Sequence, residues 1–581
     1  MRGVHKLVAF AAVYAVMSGV HAQEPTPVPY ETLRVHGELE TRSMRNFDRL
    51  ESEIYTPDNV FPVAHEGPSA GWPGDYEGRI ILGLTLQAQA MHREPKYLSE
   101  LIDRIDTRVN EKGYLGPVMK DSILEQQLSG HGWLLRGLCE YYEWKHDERV
   151  KQHIHNIITN LALPTRGYHR SYPIDPDQRV HDVGEASGTT QNAVGHWLLS
   201  SDIGCDFIFM DGVIHAYALF PEPAVKELIE EMIQRFLQMD LVSIKAQTHA
   251  TLTGLRGLLR YYAITHEAYL LDEATQRYQL YRNEAMTENY ENYNWFGRPE
   301  WTEPCAIVDA FMVATQLWQF HGDPGYLEDA HRMYYNALGH AQRENGGFGL
   351  DNCPNLKDGM LSVYDNEAYW CCTMRGGEGL AVAVRYNYFK EGKGAIYVPF
   401  FNNSDVVVDL PAGATTFRQK SGYPYAGDVE LEVLDTKHAN KRKQVHLFMP
   451  EWAAQPAISV NDHPVSYQKE NGFAVINVKL KKGDRIRYTF TMTPRLQSLV
   501  NRTTNASGYR RLLYGPLVLG SSGKRKIQLA DQPVFNRLDR DHWQLGKEGP
   551  KFSPVFHVLD PQVNKESGYQ KQIIFEVPTN E

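Results

Sequence analysis

Two hydrophobic periods divide this chain. From about residue 75 to 390, apolar side chains recur every three or four positions, which sets them on one face of a helix. Residues 97–109 do this with Leu98, Leu101, Ile102 and Ile105, and residues 225–237 with Leu228, Ile229, Met232 and Phe236. Residues 307–320 predict another apolar helix. Near residue 394 the period drops to two. Residues 429–434, 473–480 and 485–490 alternate, and Lys481-Lys482-Gly483-Asp484 forms a turn between the last two runs.

The helical part carries a weak repeat. A helix ends in an aromatic or His-containing stretch, turns on Pro, Gly or Asp, and restarts, as in Met91-His92-Arg93-Glu94-Pro95-Lys96-Tyr97-Leu98 and Phe320-His321-Gly322-Asp323-Pro324-Gly325-Tyr326-Leu327. Restarts fall near residues 97, 148, 224, 269 and 326, about one helical hairpin apart with one longer gap. Hairpins of this kind closed in a ring make an (α/α)6 barrel, and an open solenoid is the alternative. The expected class is α + β multidomain: an (α/α)6 barrel over residues 23–393, followed by a β-sandwich over 394–495. Strands within 496–581 complete the sandwich or form a second small β-layer.

The first residues change the picture of where the chain works. Arg2 and Lys6 precede a short apolar run over residues 7–20, and Val20-His21-Ala22 offers small residues for cleavage before Gln23. This predicts a signal peptide over residues 1–22 and an exported protein, periplasmic or secreted. The run is too short to span a bilayer, and no later transmembrane segment is read. A formal charge of −11 argues against a nucleic-acid partner. Aromatic residues reach 11%, led by 33 Tyr, which suits a saccharide cleft and equally a large core.

An exported chain normally pairs its cysteines. Here they are Cys139, Cys205, Cys305, Cys353, Cys371 and Cys372, sparse for 581 residues. Cys371 and Cys372 are adjacent, in Tyr369-Trp370-Cys371-Cys372-Thr373-Met374-Arg375-Gly376-Gly377, and neighbours seldom bond each other. Upstream lies an aperiodic, aromatic, amide-rich loop, residues 287–305, ending Trp301-Thr302-Glu303-Pro304-Cys305. Glu303 and Cys305 flank one proline. With Cys371 and Cys372 they make a Cys₃Glu set that suits tetrahedral zinc, and a thiolate held there is a nucleophile. Disulfide use and metal or catalytic use both remain open at this level.

The Glu-x-Cys element together with the Cys-Cys pair resembles glycoside hydrolase family 127, the β-L-arabinofuranosidase family. The resemblance runs over most of the mature chain, including Gly394-Ala395-Ile396-Tyr397-Val398 and Tyr514-Gly515-Pro516-Leu517-Val518. It implies that Glu303, Cys305, Cys371 and Cys372 hold Zn2+ and that Cys371 is the nucleophile. It places the acid/base at Glu288, with Glu291 as runner-up. The implied reaction is a retaining double displacement in which sulfur replaces one carboxylate.

The resemblance also places His131 and His249, and less directly His215, on the sugar; each could instead be a capping or core histidine. Trp72, Asp75 and Glu77 could line the cleft or start a helix. The Cys pair is followed here by Thr373-Met374-Arg375 where the family often has Pro and Asn. Arg375 could therefore hold a substrate carboxylate or pair with Glu378. Residues 183–210 have no counterpart. The expected activity is exo-acting release of an L-arabinofuranose-like sugar, acidic or branched, from plant or algal polysaccharide. The partner is an oligo- or polysaccharide; oligomeric state is not readable. Two alternatives stand beside it: a polysaccharide lyase or unsaturated uronyl hydrolase on a similar barrel, and a non-catalytic carbohydrate-binding protein with disulfides.

Overall fold

The computed structural model describes residues 24–62, 71–180, 188–392, 394–410, 413–501, 506–523, 526–556 and 569–578. The expected signal peptide, residues 1–22, lies outside them.

Six helices form an inner ring: α1 (Asp75–Met91), α2 (Glu125–Lys145), α3 (Asp206–Leu219), α4 (Thr248–Thr265), α5 (Pro304–His321) and α6 (Cys372–Arg385). Each packs on the next, and α6 packs back on α1, so the ring is closed and the open solenoid is excluded. Outer helices Leu98–Ile105, Glu148–Ile157, Pro223–Leu237, Ala268–Glu284 and Pro324–Arg332 begin at the restarts read from sequence. The sixth outer position is taken by Glu38–Leu50, which packs on α6 and α1.

This layering explains the sequence pattern. An outer helix buries one stripe; Leu98, Leu101, Ile102 and Ile105 are the buried residues of theirs. An inner helix buries almost every position of its length, as α5 does, so its period is blurred. The His-containing helix ends also have a cause. His92, His146 and His266 cap α1, α2 and α4 in the left-handed region at φ of 52°, 53° and 55°, and Gly322 caps α5 at 74°. Inner helices touch backbone to backbone where glycines allow it. A Cβ on Gly78 of α1 would lie 2.2 Å from the Leu134 nitrogen of α2.

The alternating region is a sandwich of two sheets. One has the order Thr26–Pro27, Phe389–Glu391, Ala395–Val398, Arg442–Phe448, Phe473–Lys479, Gln468–Glu470. The other runs His463–Pro464, Ala454–Val460, Arg485–Thr491, Gly427–Thr436, Thr415–Ser421, Ser404–Val408, Leu33–Val35. Both borrow strands from before residue 394, so the boundary is interleaved rather than sharp. The C-terminal strands do not complete the sandwich. Pro494–Ser498, Tyr509–Tyr514, Leu517–Gly520 and their partners form a separate sheet. Among the described residues no helix is long and apolar enough to cross a membrane.

Candidate metal and catalytic cleft

A cleft of about 520 Å³ opens where the inner helices begin. Trp72 and Asp75 reach it from the start of α1, Asp202 from the segment leading into α3, Gln247 and His249 from α4, Glu303 from α5, and Cys371 and Cys372 from α6. Pro304 sits at the first position of α5, which makes Glu303 the residue just outside that helix and Cys305 the second residue within it. Cys371 likewise stands immediately before α6 and Cys372 begins it. Helix N-termini favour negative charge, so this end of the barrel suits thiolates and carboxylates.

The four predicted ligands converge. One ligand atom each from Glu303, Cys305, Cys371 and Cys372 lies within 4.8 Å of the others. The Cys305 and Cys372 sulfurs are 3.6 Å apart and those of Cys371 and Cys372 3.2 Å. Sulfurs around a tetrahedral zinc at the usual bond length stand about 3.7 Å apart, so the donors fit that ion in type and spacing. None of the six cysteines is in a disulfide. Cys371 is the partly exposed residue of the set, and Cys372 and Cys305 are buried.

The surroundings bias the thiols. Hydrogen bonds from Cys305 and then Cys372 pull Cys371 down to about 6, against burial, and the nearby Arg79 guanidinium adds to this. Burial pushes Cys305 up to about 11 and raises Cys372 as well. Arg79 donates to the Cys305 sulfur at 3.4 Å and holds Asp75 through two bonds of 2.7 and 2.9 Å. Burial raises the Glu303 carboxyl while His249 opposes it. The His249 Nδ1 lies 3.2 Å from Glu303 Oε1, and its Nε2 lies 3.4 Å from Asp309. This is the way a metal-binding carboxylate is oriented from behind. Trp301 stacks on exposed Tyr364 beside the cleft, and the half-exposed Trp370 joins its lining. Burial, then the charge of Glu303, pushes Asp202 up to about 7.

Several of the other expected site residues lie elsewhere. Glu288 is buried, accepts the backbone N–H groups of Val500 and Asn501 at 3.1 Å, and faces Arg511 at 3.2 Å. It ties its loop to the C-terminal sheet, and its position is set by that sheet rather than by the cleft. Glu291 is fully buried 3.4 Å from His340, beside an Asp351 that also binds Arg343; burial raises its pKa. Neither lines the cleft. His131 spends both ring nitrogens inside the protein: one accepts from Leu115 N–H at 3.1 Å and the other meets Gln127 O at 2.8 Å. His215 sits near the far end of α3 and pairs with Glu143 at 3.2 Å. Arg375 is fully buried between Asp309, at 2.6 Å, and Glu378, so it is a structural cation and no substrate reaches it. Trp72 does line the cleft, donating to Gly188 O at 3.0 Å. Asp75 lines it too, while Glu77 accepts from Gly74 N–H at 3.1 Å as a helix-start residue.

Sequence reasoning missed Arg79, Asp202, Gln247, Trp301 and Trp370. Trp301 and Trp370 stand inside the two cysteine motifs, and an aromatic next to a ligand was their available signal. Asp202 stands in the segment that had no counterpart.

Comparison with known proteins bears on the fold that carries this cleft. Residues 395–492 match the family model described as β-L-arabinofuranosidase, GH127 middle domain. No curated protein matches the sequence. Among solved structures, a GH127 β-arabinofuranosidase superposes with a TM-score of 0.70 at 15% identity, covering 96% of this chain and 98% of its own. A glycoside hydrolase gives 0.69 at 13%, covering 97% and 99%. The GH127 β-L-arabinofuranosidase of Geobacillus stearothermophilus T6 gives 0.66 at 13%, covering 94% and 100%. The motif, the matched sandwich and a fold shared along nearly the whole chain together establish the resemblance to glycoside hydrolase family 127.

Proposed function

We propose that this protein is a retaining, exo-acting glycoside hydrolase that releases an L-arabinofuranose-like sugar from plant or algal polysaccharide. The observation that carries the reading is the convergence of Glu303, Cys305, Cys371 and Cys372 beside the cleft, with Cys371 the partly exposed cysteine among them. Bound zinc would keep these thiols ionised and guard them against oxidation. Cys371 attacks the anomeric carbon, the aglycone oxygen leaves with a proton, and a thioglycosyl enzyme is then hydrolysed by water. Arg79 and the N-terminus of α6 favour the sulfur anion when it departs again. Trp72, Trp301 and Trp370 offer rings to the C–H faces of the sugar. Arg375 is enclosed, which removes the proposed reason for an acidic sugar and favours a neutral one.

The test uses full-length mature protein and 4-nitrophenyl β-L-arabinofuranoside. Nitrophenol release, about one zinc per chain, and a sugar adduct on Cys371 in a rapid denaturing quench are expected. Full activity in Cys371→Ser, or a disulfide between any of the three clustered cysteines in active protein, overturns the reading. Export is inferred from Arg2, Lys6, the apolar run over residues 7–20 and Val20-His21-Ala22. A mature N-terminus at Gln23 supports it, and a retained residue 1 refutes it.

A further inference from the structure

We propose that Asp202 is the acid/base of this cleft, donating the proton that the leaving oxygen takes and recovering one from the attacking water. The assignment rests on the glycosidase reading above and supplies the partner that reading lacks.

The topology sets Asp202 facing the thiols. In a closed ring of six inner helices, the order α1 to α6 puts α3 directly across from α6. Cys371 stands at the start of α6 and Asp202 four residues before the start of α3, and both line the same cleft. A sugar bound between them has the sulfur on one side and the carboxyl on the other, as a retaining displacement with acid assistance requires.

The chain builds this position with extra sequence. The one long gap in the hairpin repeat separates Glu148–Ile157 from Pro223–Leu237. Part of it forms the strands Thr190–Val194 and Trp197–Ser200, the second pairing with Ile123–Leu124 ahead of α2. The next residues deliver Asp202. Its Oδ1 accepts from the Gly188 N–H at 3.2 Å and lies 3.5 Å from the Ser201 hydroxyl, while Trp72 and Gln126 both donate to the Gly188 carbonyl, at 3.0 and 2.8 Å. The side chain is thus held through Oδ1 at the edge of the cleft that it lines.

Elimination points the same way. Among the described residues three carboxylates line the cleft: Asp75, Asp202 and Glu303. Asp75 is bound to Arg79 through both oxygens, and Glu303 belongs to the metal set and to His249. Among the described residues no Lys, Arg or His forms an ion pair with Asp202. The charged groups acting on it from neighbouring elements are carboxylates, Glu303 of α5, Glu125 of α2 and Asp75 of α1, the last two neutralised by Arg179 and Arg79. Such a carboxyl keeps its proton readily.

In the first step the Cys371 Sγ–C1 bond forms, the C1–O bond breaks, and the Asp202 proton goes to the departing oxygen. In the second, the water oxygen bonds to C1, the S–C1 bond breaks, and the water proton returns to Asp202. Atoms and charge balance across the pair.

The experiment uses zinc-loaded Asp202→Asn and Asp202→Glu with two substrates, an arabinofuranosyl disaccharide and 2,4-dinitrophenyl β-L-arabinofuranoside. On the disaccharide, Asp202→Asn should lose about 100- to 10,000-fold in kcat/KM. On the dinitrophenyl glycoside, whose leaving group needs no proton, it should show a burst followed by slow turnover, with azide restoring the rate and giving the glycosyl azide. The alkaline limb of kcat/KM against pH should vanish in Asp202→Asn and return, shifted, in Asp202→Glu. Equal losses on both substrates without azide rescue, or an unchanged pH profile, overturn the assignment. If Asp202→Asn fails to fold, Asp202→Glu decides by the presence or absence of a shifted limb. Wild-type protein inert on both substrates overturns the glycosidase reading itself, whereas an active wild type with an unaltered Asp202→Asn overturns this assignment alone.

Discussion

The mouth of the barrel and the layer beneath it use similar residues to opposite ends. At the mouth, among the described residues, three thiols and three carboxylates gather round one guanidinium, that of Arg79. Lower down, Arg136, Arg256, Arg260 and Arg375 enclose Asp211, Asp309 and Glu378 in direct ion pairs. There burial opposes ionisation, but Arg136, Arg260 and Arg256 together hold the Asp211 carboxyl well below its usual range. The lower layer is charge-compensated by the chain itself. The upper one gathers acidic groups that the chain leaves largely without cationic partners, a donor set that a divalent cation can satisfy. Ionisable groups that the fold pairs are structural; those it leaves unpaired are available for chemistry.

Four substitutions break or sharpen this contrast. The largest effect belongs to the mouth: Cys371→Ala should lower kcat/KM on 4-nitrophenyl β-L-arabinofuranoside by about 10,000-fold or more while the chain still folds, because it removes the proposed nucleophile. In the layer below, Asp309→Ala strands Arg256 and Arg375 and should cost about 3–5 kcal/mol in urea unfolding.

His131 gives a pH test of an enclosed group outside both sets. Burial lowers it to about 4, while in the unfolded chain it titrates at about 6.5. The unfolded state therefore takes up the proton first. Stability is full above about pH 6.5 and falls as the pH drops toward 4, by about 3 kcal/mol from this group. His131→Gln should flatten that slope in chemical denaturation between pH 4.5 and 7. The smallest effect is expected at the joint between the sets. His249→Ala should weaken zinc binding about 10- to 100-fold in a chelator competition and leave the fold intact.

The ring was legible because outer helices bury a single stripe and because His92 and His146 cap their helices in the left-handed conformation that marks each restart. The convergence of Glu303 with the three cysteines was legible because two short motifs, Glu303-Pro304-Cys305 and Cys371-Cys372, each start an inner helix, so local sequence and site position coincide. Glu288 and Arg375 were misplaced for the converse reason. A Glu in a polar loop looks the same whether Arg511 and the C-terminal sheet or the cleft lies beside it, and those partners are over 200 residues away. Arg375 follows the cysteine motif in sequence, yet helical geometry turns it inward toward Asp309. Asp202 was invisible because its meaning depends on ring closure, which no local pattern records.

That closure has a consequence for how the chain is made. The helix Glu38–Leu50 packs against α6, Cys372–Arg385, more than 320 residues later. During synthesis its buried face, including Leu39, Phe47 and Leu50, therefore waits for about two thirds of the protein to emerge before its partner exists. The strand Leu33–Val35 waits longer, for Ser404–Val408. Contacts this distant in sequence form late and leave apolar surface uncovered meanwhile. The chain's earliest segment is thus among the last to be placed, and the cysteine pair enters the barrel in the same event that seals it.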